Sequence, residues 1–238
     1  YASRPPWLDE VKVEGIEWIR LMYLYPMYFT DQLVDVLANS KKVVPYLDMP
    51  LQHIDETMLR RMQRRVNRRE TEELLARLRG AIPNLVFRTT FIVGFPGETK
   101  EEFKTLLRFV KDAEFDHAGV FTYSKEDGTP AALLGDDVPQ ETMEERRALL
   151  MEAQRKISRR KLKNLIGKRV EVLCEGTHPE TEFLLKGRMA TQGPDMDGCV
   201  LINDGPARAG QFVSVEITES HDYDVTGRVV ASRRHAAA

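Results

Sequence analysis

Residues 87–99 read FRTTFIVGFPGET, and their chemical potential lies in Gly94, Pro96, Gly97 and Glu98. Two glycines around a proline let backbone amides approach a ligand closely, and Glu98 offers a carboxylate to a polar group. A tight structural turn is the plainer reading of the same residues. Gln52 and His53, in the segment PLQH, supply an amide and an imidazole that can each exchange hydrogen bonds with a bound molecule. Asp55 follows two residues later, so PLQH also reads as the entry to a capped helix. Arg88 and Thr90 alternate along residues 87–93, which puts them on one face of a strand; an arginine there suits a carboxylate ligand or an internal acid. Tyr123 closes a later run, GVFTY, in a comparable position. Metal chemistry has less support. The two cysteines, Cys174 and Cys199, are too few for a thiolate-bound cluster, and His53, His117, His178, His221 and His235 are scattered without ligand spacing.

These groups need elements to hold them. Phe87, Thr89, Thr90, Phe91, Ile92 and Val93 have the branched and aromatic character of a buried strand, broken at Gly94. Thr99 and Glu102 have capping-box spacing, and Phe103, Leu106, Leu107 and Val110 follow at i, i+3, i+4 and i+7 of a helix. The turn therefore lies at the carboxyl end of a strand, the edge at which parallel sheets and barrels bind ligands. Three similar strand and helix units accompany it. Residues 16–25 (IEWIRLMYLY) predict a strand that stops at Pro26, before a helix capped by Thr30 and carrying Leu33, Val34 and Leu37. Residues 43–49 predict a second strand, then a helix from Asp55 with Met58, Leu59, Met62 and Val66 on one face. Residues 70–81 predict a helix with Leu74, Leu75 and Leu78, and residues 119–123 a fourth strand. Four parallel strands leave an open half-barrel, so the expectation is that something is missing upstream.

Residues 140–165 are charged and free of glycine, with Leu149, Leu150, Ala153 and Ile157 as an apolar stripe, which predicts a connecting helix. After Gly167 the runs RVEVLCEG, EFLLKGRMA, CVLIND and QFVSVEIT, separated by turn signals such as Asp197-Gly198 and Asp204-Gly205, predict a small β-barrel. The expected division is residues 1–139, a helix 140–165, a barrel 166–231 and a tail 232–238. Residues 166–230 hold six Lys or Arg against eleven Asp or Glu, whereas the whole chain of 238 residues carries a formal charge of only −2. No apolar run is long enough to span a membrane, and the opening YASRPPWLDE lacks the pattern of a signal peptide, so a cytoplasmic location is expected.

The segments YLDMPLQHIDETMLRRM, RTTFIVGFPGETKEEF, GVFTYSKEDGTPAA, KGRMATQGPDMDGCV and HDYDVTG resemble the methylthiotransferases of the radical S-adenosylmethionine superfamily along nearly the whole chain. PLQH, FTYSKEDGTPA and the GPDMDG segment are closer to the branch that modifies an aspartate of ribosomal protein S twelve than to the tRNA-modifying branch. The resemblance implies an α/β fold, a partial, open radical-SAM β/α barrel followed by a small all-β TRAM barrel. It also implies S-adenosylmethionine and 4Fe-4S clusters in the parent enzyme. The cofactor's methyl group goes to cluster-associated sulfur, and its deoxyadenosyl radical removes hydrogen from the aspartate β-carbon. The family's cluster loop, Cys-x3-Cys-x2-Cys, has no counterpart here, so the chain reads as a carboxyl-terminal piece that by itself lacks radical chemistry.

On that resemblance, Gln52, His53, Arg88, Thr90, Gly94, Pro96, Gly97, Glu98 and Tyr123 become one wall of a cofactor site. The acidic balance of the barrel repels phosphates and attracts a basic protein, such as S twelve on the small ribosomal subunit. Arg188, Asp195, Asp197, Asp222 and Asp224 are the candidates for that recognition, against the alternative of acids that stabilise turns. Arg60, Arg61, Arg64, Arg65, Arg68 and Arg69, and the stretch RKISRRKLK at 155–163, read as solvated helix faces rather than RNA contacts. Two alternatives stay open: a tRNA-modifying methylthiotransferase and a non-catalytic module that docks on the ribosome.

Overall fold

The computed structural model describes residues 14–232; the opening segment 1–13 and residues 233–238, with His235, lie outside the described residues. Strand β3, Val86–Val93, alternates strictly, with Phe87, Thr89, Phe91 and Val93 buried and Arg88, Thr90 and Ile92 on the other face. The buried face packs on helix α4, Lys100–Ala113, through edge-to-face contacts among Phe87, Phe91, Phe109 and Phe115. Each such phenylalanine contributes roughly 1.5–3 kcal/mol of burial free energy. The Thr99–Glu102 capping box forms as the spacing predicts, with each side chain satisfying the other's backbone amide.

The remaining units dock beside this one. Strand β1, Ile19–Leu21, is followed by α1, Asp31–Asn39, capped by the Thr30 hydroxyl. Strand β2, Val43–Asp48, precedes α2, Glu56–Arg61, and α3, Arg68–Ala81; strand β4 is His117–Thr122. All pairings are parallel in the order β1-β2-β3-β4, an open sheet rather than a closed barrel.

Three expectations need correction. The strand over residues 16–25 shrinks to three residues, because its register on β2 slips and Pro26 opens a short 3-10 helix. The helix from Asp55 ends at Arg61, so Val66 does not share a face with Met58; Asn67 instead caps α3 with its own Glu70 box. In α5, Gln140–Lys163, Leu150, Ala153 and Ile157 are buried but Leu149 is 45% exposed.

Contacts divide the chain into two units between Ala153 and Gln154, inside α5. The second unit is a closed barrel of β5 Arg169–His178, β6 Thr181–Met189, β7 Val200–Asp204, β8 Phe212–Ser220 and β9 Val225–Ser232. Its order is β5-β6-β7-β9-β8, closed by β5 on β8. Four strands follow the predicted runs, and β9 adds a fifth, paired parallel to β7 and antiparallel to β8. Val172, Val200, Ile202, Val213, Val215, Ile217 and Val225 fill its interior. Among the described residues no helix is long and apolar enough to cross a membrane.

Candidate functional site

At the carboxyl ends of β2, β3 and β4 lies a cavity of about 400 Å³, with Gln52, Arg61, Arg64, Ile92, Phe95 and Tyr123 among its lining residues. Gln52 continues β2 as an isolated bridge: its amide donates to the Thr90 carbonyl and its own carbonyl accepts from Ile92. This places Gln52 in the left-handed region at φ 69, a strained conformation for glutamine that the flanking β3 bonds enforce. Its side-chain Oε1 is buried with no partner. The Tyr123 hydroxyl is likewise buried and unpartnered, while its ring packs edge-on against Phe95 at 5.1 Å between centroids.

The opposite wall is basic. Arg64 stacks over the Tyr25 ring and donates to the Pro50 carbonyl; Arg61 pairs with Asp136 at 3.1 Å. The Nε atoms of both arginines are buried and unpartnered. Burial lowers the Arg64 pKa from its ordinary value, with Tyr25 opposing that shift. The reading of this arginine run as a solvated helix face is therefore corrected for Arg61 and Arg64. The signal was present: they stand within twelve residues of Gln52, Arg61 at the end of a helix only six residues long and Arg64 just past it.

Four buried polar atoms without partners around one cavity are costly unless a polar ligand satisfies them. The set combines an amide acceptor, a phenol, two guanidinium groups and an aromatic pair. It fits a molecule with an amino-acid end and a flat aromatic ring, as S-adenosylmethionine has.

Other sequence candidates sit elsewhere. Glu98 and His53 have fully buried side chains and bond each other at 3.2 Å; Glu98 also accepts from the Gly94 amide and from Arg146 at 2.6 Å. Gly94 and Gly97 are left-handed, at φ 74 and 77. Gly94 is backed by the Met143 side chain, and Gly97 by the Arg61 guanidinium while its amide donates to the Asp136 carbonyl. Pro96 is buried between them. Thr90 holds Gln52 through its carbonyl, and Arg88 lies near Asp48 at 3.7 Å, lower on the same sheet face.

In the barrel each candidate is engaged by a neighbour, and Arg188 and Asp195 are linked through Glu175 and Lys186, which lie 3.8 Å apart. Arg188 bonds Glu175 at 2.8 Å, Asp195 bonds Lys186 at 3.1 Å, and Asp222 bonds Arg155 at 3.0 Å. Asp197 and Asp224 accept from the Gly193 and Cys199 amides. Burial, then Asp224, pushes the Cys199 thiol up to about 12. Among the described residues no group of three His, Cys, Asp or Glu side chains is arranged to hold a metal. The 4Fe-4S cluster therefore does not fit the residues present: both cysteines belong to the barrel unit, Cys174 buried and Cys199 half-buried.

Comparison with known proteins gives two domain matches, Radical SAM superfamily over residues 3–110 and TRAM domain over residues 166–230. The chain is 48% identical over 219 residues to the ribosomal protein uS12 methylthiotransferase RimO of Bdellovibrio bacteriovorus, covering 92% of this chain and 48% of that protein. It is 52% identical over 220 residues to the protein of the same name from Anaeromyxobacter sp. (strain K), covering 92% and 47%. The chain thus spans about half the length of the curated relatives it matches. Among solved structures, coproporphyrinogen III oxidase (HemN) from Escherichia coli, described as a radical SAM enzyme, aligns with TM-score 0.48 and 14% identity over 73% of this chain and 46% of that one.

Proposed function

For a chain that belongs to the radical SAM superfamily, in its RimO-type methylthiotransferase branch, we propose that the cavity at the carboxyl ends of β2, β3 and β4 is one wall of an S-adenosylmethionine site. The observation that carries this reading is the quartet of buried, unpartnered polar atoms, Gln52 Oε1, Tyr123 Oη, Arg61 Nε and Arg64 Nε, in a cavity of about 400 Å³. In this proposal Arg64, and beside it Arg61, face the cofactor carboxylate; Gln52 accepts from its amino or ribose groups; Phe95, Ile92 and Tyr123 flank the adenine. The bound cofactor supplies the methyl group and the hydrogen-abstracting chemistry. The residues of this chain orient it and exclude water, and orientation alone is a large part of such catalysis.

The whole protein, on this reading, adds a methylthio group to the β-carbon of an aspartate in ribosomal protein S twelve, in the cytoplasm. Support comes from the relatives' names and from the acidic balance of the barrel, six basic against eleven acidic residues over 166–230. That charge opposes nucleic-acid phosphates and favours a basic protein. The isolated chain binds the cofactor without cleaving it, because the sequence holds only Cys174 and Cys199 as thiolate ligands.

Titration calorimetry of the chain with S-adenosylmethionine tests the site. Saturable binding is expected, weakened about tenfold by Gln52→Ala, the scale of one hydrogen bond to a charged or buried group. No binding at millimolar cofactor overturns the reading. Iron–sulfur reconstitution followed by assay for 5′-deoxyadenosine tests the second statement, and cleavage by this chain alone refutes it. Tight, salt-sensitive binding of tRNA in preference to S twelve would move the assignment to the tRNA-modifying branch.

A further inference from the structure

We propose that Arg146 on α5 is a positioning residue for the turn 94–98, fixing the shape in which that turn presents Phe95, and with it the end of β3 at Ile92, to the cavity. The proposal rests on the reading of that cavity as a cofactor site.

The Glu98 side chain is fully buried, and a carboxylate taken out of water is tolerated only where its charge and lone pairs are matched. His53 matches one oxygen. The His53 Nδ1 accepts from the Asp55 amide, which assigns its proton to Nε2, 3.2 Å from Glu98 Oε1. The other oxygen, Oε2, accepts from the Gly94 amide and from Arg146 Nη1 at 2.6 Å. The same Nη1 reaches the Glu98 carbonyl at 2.9 Å, and the guanidinium lies over the Phe103 ring. Glu98 is thus a clip across the turn: its own amide donates to the Phe95 carbonyl while its carboxylate holds Gly94. Arg146 supplies the countercharge that lets this clip stay buried.

The rest of α5 fits that role. Met143, Arg146, Arg147 and Leu150 stand at i, i+3, i+4 and i+7 and share one face. Met143 closes on Gly94 so tightly that a Cβ there would sit 2.1 Å from its Cγ, Arg147 Nε donates to the Val120 carbonyl on β4, and Leu150 is fully buried. One face of a helix expected only to connect two domains therefore braces the ends of β3 and β4 from behind. The cavity lies on the other side of the same turn, where Ile92 and Phe95 line it. A turn released from Glu98 loses the fixed left-handed Gly94, and the cavity edge loses its shape.

The test compares the full 238-residue chain with Arg146→Met, Arg146→Lys and the double variant Arg146→Met/Glu98→Gln, each checked for folding by circular dichroism. Hydrogen exchange of the amides at 94–98, without ligand, reads the clip; calorimetry with S-adenosylmethionine reads the cavity. Arg146→Met is expected to speed exchange in the turn and to weaken binding, each by about tenfold or more. The double variant removes both charges, and the carboxamide oxygen can still accept from the Gly94 amide while its amino group meets the His53 Nε2–H donor, so it recovers part of the loss and brings both readouts about threefold closer to the parent than Arg146→Met does. Arg146→Lys, with a single point charge, falls between. If Arg146→Met folds and leaves exchange unchanged, or if Glu98→Gln fails to rescue it, Arg146 is a packing residue and the proposal falls. If exchange follows the expected pattern while the parent chain binds no S-adenosylmethionine, the clip stands and the cofactor reading is the part that is wrong. Should Arg146→Met not fold, Arg146→Lys and the double variant carry the same comparison.

Discussion

Replacing Gly94 with alanine separates two costs that usually arrive together. The backbone there is at φ +74, and a side chain in the left-handed region costs about 1–2 kcal/mol. The new Cβ would also lie 2.1 Å from Met143 Cγ and 3.1 Å from its Cβ, so rotating the end of the methionine cannot clear it; overpacking of this kind costs about 1–3 kcal/mol. Gly135 is the control. It has nearly the same φ, +73, with nothing within 4 Å of the added carbon, so Gly135→Ala carries only the first cost. Gly94→Ala should therefore be less stable than Gly135→Ala by about 1–3 kcal/mol, or about 0.5–1.5 M in urea midpoint for a slope near 2 kcal/mol/M. Both tryptophans, Trp7 and Trp18, precede residue 153, and Trp18, which lies among the described residues, reports on the first unit without interference from the barrel. Adding Met143→Ala to Gly94→Ala should recover part of the loss. Equal midpoints for the two alanine variants would refute the tight packing of α5 against the turn.

Gln52→Gly should leave thermal stability within about 1 kcal/mol, because relief of strain at φ 69 offsets the greater freedom of the unfolded chain, while S-adenosylmethionine binding by calorimetry weakens about tenfold. The Cys199 thiol, raised from its ordinary 9.0 to about 12, should alkylate slowly at pH 8 in the native barrel and rapidly after denaturation. Since the unfolded thiol ionises first, this group's contribution to stability is intact below pH 9 and is lost as pH rises from 9 to about 12; urea titrations of parent and Cys199→Ser across that range check the sign. Gly198→Ala would place a Cβ 1.8 Å from the Tyr223 carbonyl oxygen, and should lower the barrel's melting transition while leaving the tryptophan-detected midpoint unchanged.

Strong local signals in the sequence carried over to the structure. Alternation over 86–93, the Thr99–Glu102 box and the Thr30 and Asp55 caps are all set by neighbouring residues, and each forms where spacing puts it. Local signals failed where tertiary contacts decide. Residues 16–25 are apolar enough for a long strand, yet only three of them pair, because register on β2 is a property of two segments. Strand β9 is bounded by polar residues and takes its place only between β7 and β8. Among the residues that line the cavity, Gln52 and Tyr123 were legible as candidates from their places after strands. Arg61 and Arg64 were hidden in a basic run whose other members face solvent, and Arg146 was hidden in a charged helix 48 residues from the carboxylate it meets.

The two units also differ in how they can be made. In the sheet, spatial order is chain order, so each parallel strand finds its partner already synthesised and the structure can grow as the chain leaves the ribosome. The barrel cannot. β9 follows both β7 and β8 in the chain but sits between them in the barrel, so no length of chain that stops short of β9 can close the cylinder. Until Ser232 has emerged, β7 and β8 each present an open edge, and a nascent chain stalled shortly before that point would hold a finished sheet and an adhesive half-barrel. Pauses that leave β9 unmade, rather than pauses within the sheet, are the hazard for this barrel.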